Sequence, residues 1–247
     1  MVPEQHGAWV FLALPVALAV AGAGWFPLLP LTLLAWVAAY PLSWAVTGRL
    51  SAPRPRRFNR ALRTWSPVVL LAGLPLLVLR PWLLWVLLAY LGLWLVNLSF
   101  ARRRRERDLP NDLVLVAECT LMVPVTVCLA AGGDDLALPL QALDARTVLL
   151  LTMCAVALTG SVLHVKSLIR ERNDPRYADA SRLFSAAGAV LVAVVAELTG
   201  TSALVVLPFA ALALRAWLVR GPRWAPARVG ILELGGLVLV VVAAAST

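Results

Sequence analysis

From Gly7 to Gly48 the chain runs 42 residues without one Asp, Glu, Lys or Arg. A continuous helix of that length would extend about 63 Å, roughly twice the hydrocarbon thickness of a bilayer. The run therefore folds back as a hairpin. Its break is marked by Gly22, Gly24 and the cluster Trp25-Phe26-Pro27, because glycine and proline end helices and aromatic rings settle at the membrane interface. The same character continues along the chain. Of its 247 residues 61% are hydrophobic and 14% charged, against about 45–50% and about 25% in ordinary soluble domains. Mean hydropathy is +0.85. No segment is polar enough to fold as a separate soluble domain, so residues 1–247 read as a single integral membrane domain.

Charge punctuates the remaining spans. Arg63 and Arg80 bracket a third, Pro81 to about Phe100 forms a fourth, Leu113–Ala131 a fifth and Thr147–Val165 a sixth. The stretch Leu183–Leu214 is too long for one span and makes two short ones joined near Gly200, and Val229–Ala245 is the last. With that division, 20 of the 22 basic residues fall on one side, in 49–63, 102–107, 166–182 and 215–228. This is the positive-inside pattern of cytoplasmic loops. The expected fold is an all-α, polytopic transmembrane helical bundle of about nine spans with its N-terminus inside. Residues 1–6 hold no Lys or Arg, so the first helix reads as a span and not as a signal peptide.

Cys119, Cys128 and Cys154 lie inside apolar runs without metal-ligand or disulfide spacing and read as packing residues. The net charge of +9 sits beside hydrophobic spans, where topology and anionic headgroups already demand arginine. Nucleic acid is not an expected partner; membrane lipids are. Polar residues mixed into those loops carry more information. Arg105–Asp112 and Lys166–Asp174 each gather acids, amides and guanidinium groups at a helix end. One reading is helix capping, with Asn111 or Asp112 capping the fifth helix behind Pro110. The other is an anion or metal-diphosphate site in which acids hold a cation and arginines grip phosphate oxygens. Within the membrane, Glu118, Glu197 and Glu233 are costly, and Glu118 is the deepest.

The segments Glu-Gln-His-Gly-Ala-Trp at 4–9, Glu106–Asp112, Val162–Arg172 and Gly230–Glu233 resemble the YwiC-like family of bacterial membrane proteins. The resemblance spreads over nearly the whole chain and implies a multi-pass protein of the bacterial cytoplasmic (inner) membrane. It brings no activity with it. More distantly, the layout resembles the UbiA-type prenyltransferases, nine-helix enzymes that hold Mg²⁺ against a prenyl diphosphate with two acidic motifs, in the loops after helices two and six. That resemblance implies Mg²⁺ as cofactor, with Glu171 and Asp174 as metal ligands and as catalytic, general-base candidates. The chain departs from the pattern at the first motif: residues 49–64 contain six arginines and no Asp or Glu.

The expected site is a cytoplasm-facing polar pocket of His6, Arg60, Asn111, Asp112, Lys166, Arg170, Glu171 and Asp174. Its leading ligand is an isoprenoid or other phosphorylated lipid, gripped by Arg60, Lys166 and Arg170 and open to prenyl transfer. Two other classes stay open: a small-solute transporter or permease that uses Glu118 as its titratable group, and a non-catalytic subunit of a membrane complex. Oligomeric state leaves no sign in the sequence.

Overall fold

The computed structural model describes residues 6–219 and 224–246, with side chains from Trp9 onward. Those residues form nine α-helices and no strand: α1 (His6–Ala23), α2 (Leu29–Ser51), α3 (Asn59–Leu79), α4 (Leu83–Arg102), α5 (Leu109–Ala131), α6 (Ala145–Val165), α7 (Pro175–Leu198), α8 (Leu207–Leu218) and α9 (Pro226–Ala245). Seven helical segments are long and apolar enough to cross a bilayer: Leu29–Ser51, Pro55–Leu79, Leu83–Arg102, Leu109–Ala131, Ala145–Arg170, Pro175–Leu198 and Pro226–Ala245. The remaining two apolar helices, Trp9–Ala23 and Ala203–Leu218, are shorter. The chain is an all-α, multi-span membrane bundle. An all-helical solution satisfies every backbone group within its own segment, as lipid requires.

The breaks follow local chemistry. Gly24 adopts φ 74° between α1 and α2, a conformation that glycine alone enters without strain. Exposed Trp25 follows it, while Phe26 turns inward. Gly200, at φ 65°, likewise closes the last turn of α7 and divides 183–214 into two helices. Proline sits in the first turn of α2, α5, α7, α8 and α9, where its missing N–H takes nothing from the helix.

The fifth helix begins earlier than the capping reading places it. Asp108 holds the N-cap position of α5 and Pro110 lies inside the first turn. Asn111 and Asp112 are helical residues whose amides bond to the Asp108 carbonyl at 3.1 and 3.2 Å. Asp108 instead pairs with Arg105 at 2.5 Å.

The described residues divide into two compact units. One comprises the chain up to Leu12 together with Ala23–Ala142, and the other Ala13–Gly22 together with the chain from Leu143. In the first, α2 to α5 run as successive hairpins. Trp82 anchors the α3–α4 turn: its side chain is buried and its amide donates to the Asp135 carbonyl at 3.1 Å. Leucine-rich faces, such as Leu71 and Val78 of α3 and Leu87 and Leu88 of α4, stand exposed and match lipid surroundings.

In the second unit α6 is the central helix. Leu149, Leu150, Met153, Cys154 and Leu158 are buried along its length. Small residues let neighbours approach it, as is usual between membrane helices. A Cβ on Gly188 of α7 would stand 2.5 Å from Val156 Cγ1, and one on Gly22 of α1 would stand 2.6 Å from Leu150 Cδ1. Arg146 fixes the start of α6 by donating to the Ala21 and Gly22 carbonyls at 3.2 and 3.4 Å.

All three cysteines are buried and free of disulfides. Their reading as packing residues holds.

Candidate functional site: an intramembrane cavity and a buried ion pair

The residues predicted from sequence are distributed over both units. His6 opens α1, and its side chain lies outside the described residues. Arg60 is exposed in the first turn of α3. Asn111 is buried and donates through Nδ2 to the Glu106 carbonyl at 2.9 Å, and Asp112 beside it is half-buried. These belong to the first unit.

Lys166, Arg170, Glu171 and Asp174 belong to the second. Lys166 is buried where α6 passes into a π-helical turn, Lys166–Arg170. Such turns recur at functional sites in helices. Arg170 at its end is exposed and Glu171 half-buried. Asp174 caps α7, its Oδ1 accepting from the Arg176 amide at 3.0 Å. That carboxylate is thus already engaged by the helix start.

Mg²⁺ prefers several hard oxygen ligands. Among the described residues no group of three His, Cys, Asp or Glu side chains is placed to hold a metal ion.

Two features that sequence reasoning did not assemble emerge instead. The first is a cavity of about 490 Å³ in the first unit, within the range of small-molecule sites. Its walls come mainly from α2, α4 and α5, from Thr32 and Leu129 at one end to Val46, Trp94 and Leu115 at the other. The lining is overwhelmingly apolar, with Trp36, Tyr40, Tyr90 and Trp94 as its aromatic surface and Glu118 as its carboxylate.

Hydrogen bonds hold the aromatic side chains in place. Trp36 Nε1 donates to the Leu12 carbonyl at 2.9 Å, and Trp94 Nε1 to Thr47 Oγ1 at 3.0 Å. Tyr90 Oη donates to the Glu118 carbonyl at 2.8 Å. Trp36 and Tyr90 stand with ring centroids 5.9 Å apart. With their polar tips bonded, these rings offer faces and edges to the cavity. At the end marked by Val46 and Trp94, α2 carries Arg49 in its last turn and is followed by the arginine-rich segment 54–63, and α4 ends on Arg102, followed by Arg103–Arg105.

The second feature lies in the other unit. Arg215 of α8 donates through Nη1 to Glu233 Oε1 of α9 at 2.5 Å, with both side chains nearly sealed from solvent. His164 of α6 stands 4.0 Å from the same oxygen through Nε2. Its Nδ1 lies 3.5 Å from Ser181 Oγ of α7. The charge pattern treats Arg215 as a loop cation, yet it is a helical residue buried against an acid. Glu233 is held in the interior by that pair instead of reaching for the interface. One signal could have found the pair: Arg215 and Glu233 are each embedded in an apolar run of a different helix, the arrangement in which intramembrane charges pair.

The cavity could have been found from Trp36 and Tyr40, one turn apart on α2, facing Tyr90 and Trp94, one turn apart on α4.

A sequence model of the YwiC-like protein family matches residues 2–127. The chain is 29% identical over 238 residues to the uncharacterized protein YwiC of Bacillus subtilis strain 168, covering 95% of this chain and 92% of that one. It is 23% identical over 186 residues to an uncharacterized protein of Haemophilus influenzae, covering 74% of each. No solved structure matches the chain significantly.

Proposed function

The chain belongs to the YwiC-like protein family, and from that premise we propose that it binds an isoprenoid or another phosphorylated lipid in the bacterial cytoplasmic membrane. The observation that carries this reading is the apolar cavity between α2, α4 and α5. An extended hydrocarbon would lie along it, in contact with aliphatic side chains and the faces of Trp36, Tyr90 and Trp94. Its phosphate would emerge at the end where arginines cluster, in 49–63 and 102–107. Guanidinium groups match phosphate oxygens two at a time. Arg60, exposed on the first turn of α3, is one of the predicted grips.

Binding is the step this reading covers. Metal-assisted departure of a diphosphate needs carboxylates to hold the cation, and residues 49–64 have none. The UbiA-like layout thus enters as a proposed kinship of architecture and lipid class.

The test is titration of the protein in nanodiscs with farnesyl diphosphate, at two salt concentrations, with and without Mg²⁺. Inorganic diphosphate serves as the control for the headgroup alone. Metal-independent binding that weakens with salt, and that inorganic diphosphate does not reproduce, supports a lipid held by its tail and by arginine. Binding that appears with Mg²⁺ alone would return Glu171 and Asp174 to the role of metal ligands. No binding under any condition removes the lipid reading.

A second reading, a solute permease, is favoured by one observation: Glu118 lines the cavity at mid-helix, and the other described lining residues include no Arg, Lys or His. Solute flux in proteoliposomes that is lost in Glu118→Gln but kept in Glu171→Ala supports it.

A further inference from the structure

Glu118 lies nine residues into α5, about 14 Å from the helix start and close to the middle of a bilayer core about 30 Å thick. At that depth an ionised carboxylate without a counter-charge is costly, and intramembrane acids either pair or mark an ion path. Glu118 makes no ion pair among the described residues.

Among the described residues that line the cavity with it there is no Arg, Lys or His. From α2 come Tyr40 and Ser43, from α4 Tyr90, and α5 itself adds Cys119, while the lining residues of α1 and α3, such as Leu12, Val69 and Leu76, are apolar. Tyr90 donates to the Glu118 backbone carbonyl, and Glu118 is itself a lining residue of the cavity.

Aromatic rings line the same cavity as this acid. Tyr90 is bonded to the Glu118 residue itself, Trp36 stands 5.9 Å from Tyr90, and Tyr40 lies beside Cys119. Ring faces attract cations through their quadrupole, most strongly where water is excluded. A carboxylate supplies the opposite charge, and a cavity of about 490 Å³ admits a bulky apolar body.

We infer that the α2–α5 cavity binds lipophilic organic cations, which displace the proton of Glu118 and take its carboxylate as their counter-charge. The exchange balances: the Glu118 carboxylic acid and a free cation give the carboxylate–cation pair and one proton released to water. Entry of a proton reverses the step and expels the cation. The inference deepens the permease reading by naming its solute class, and rests on that reading for the cavity alone.

The test uses the full chain in nanodiscs with tetraphenylphosphonium as the cation and triphenylphosphine oxide as a neutral probe of similar shape. Cation binding and proton release, the latter with an indicator dye in weak buffer, are measured together. The expected result is one proton released per cation bound, with affinity falling about tenfold per pH unit on the acid side. Glu118→Gln should lose the release and at least about tenfold in cation affinity, while retaining the neutral probe. Glu118→Asp should keep the release, which guards against loss of fold in the glutamine variant.

Cation binding without proton release, or equal affinity in Glu118→Gln, overturns the inference. Binding of the neutral probe but not of the cation overturns it too and leaves a lipophile cavity standing. Binding of neither probe removes the permease reading along with it.

Discussion

Arg215 and Glu233, eighteen residues apart on α8 and α9, meet at 2.5 Å with both side chains nearly sealed from solvent. Each charge makes the other tolerable in an apolar interior, and neither is readily replaced alone. Removing one partner of a buried pair leaves an uncompensated charge and costs about 3–5 kcal/mol, whereas removing both costs far less. We expect Glu233→Gln and Arg215→Gln each to lower unfolding stability in detergent by about 3 kcal/mol, and the double variant to fall well short of their sum. A double-mutant cycle in denaturant measures this coupling. Additive losses would mean that the two side chains do not depend on each other.

Gly188 of α7 faces Val156 of α6, and an added Cβ would stand 2.5 Å from Val156 Cγ1. Valine is stiff about χ1 and has no flexible end to swing aside. Gly188→Ala is expected to destabilise the chain by about 1–3 kcal/mol through overpacking. Combining it with Val156→Ala opens the space and recovers part of that loss. Thermal unfolding of the two single variants and the double variant decides it.

Asp144 caps α6, accepting at Oδ1 from both the backbone amide and the hydroxyl of Thr147 at 2.7 Å each. These bonds, first the hydroxyl and then the amide, hold its carboxyl below the usual carboxylate range, with Arg146 adding to the effect. A depressed folded-state pKa contributes stability that is present above the unfolded value of about 3.9 and is lost as pH falls through the folded value. Asp144→Ala should therefore cost about 1 kcal/mol near neutral pH. The gap from the unsubstituted chain should stay level down to about pH 4 and close below it. Unfolding followed across acidic pH for both proteins tests the sign.

The cavity and the arginine loop should separate tail from headgroup. Ala39 lines the cavity, and Ala39→Trp would fill part of it. This variant should weaken farnesyl diphosphate binding at least about tenfold at every salt concentration, because it removes tail contacts. Replacing Arg56 and Arg60 by Gln should instead flatten the salt dependence. Isothermal titration at two ionic strengths distinguishes the two effects.

Much of the architecture was legible because a bilayer leaves few choices. The uncharged run from Gly7 to Gly48 requires a hairpin, and Gly24 supplies its turn. The length of 183–214 requires a break, and Gly200 supplies that one.

Other parts were not legible, because hydropathy along one chain does not see partners on another helix. Arg215 is counted among loop cations until α9 brings Glu233 against it. Trp36 and Tyr40 lie in one apolar run and Tyr90 and Trp94 in another, and hydropathy does not place α2 and α4 face to face. Asn111 and Asp112 resemble caps because two polar residues follow a proline. The helix starts earlier, at Leu109, and leaves them inside it. Among the predicted site residues, Asp174 is drawn into helix capping, while Arg60 stays exposed at the end of the bundle where the arginines gather.

The central claim, that a lipid tail occupies the cavity between α2, α4 and α5, is tested most directly by photo-crosslinking in nanodiscs. The probe is an isoprenoid diphosphate with a diazirine on its tail, and the labelled residues are mapped by mass spectrometry. The account predicts label on cavity residues such as Ala39, Tyr90 and Leu115, reduced in Ala39→Trp. Label confined to outward residues such as Leu71 and Val78, unchanged by that substitution, would contradict it.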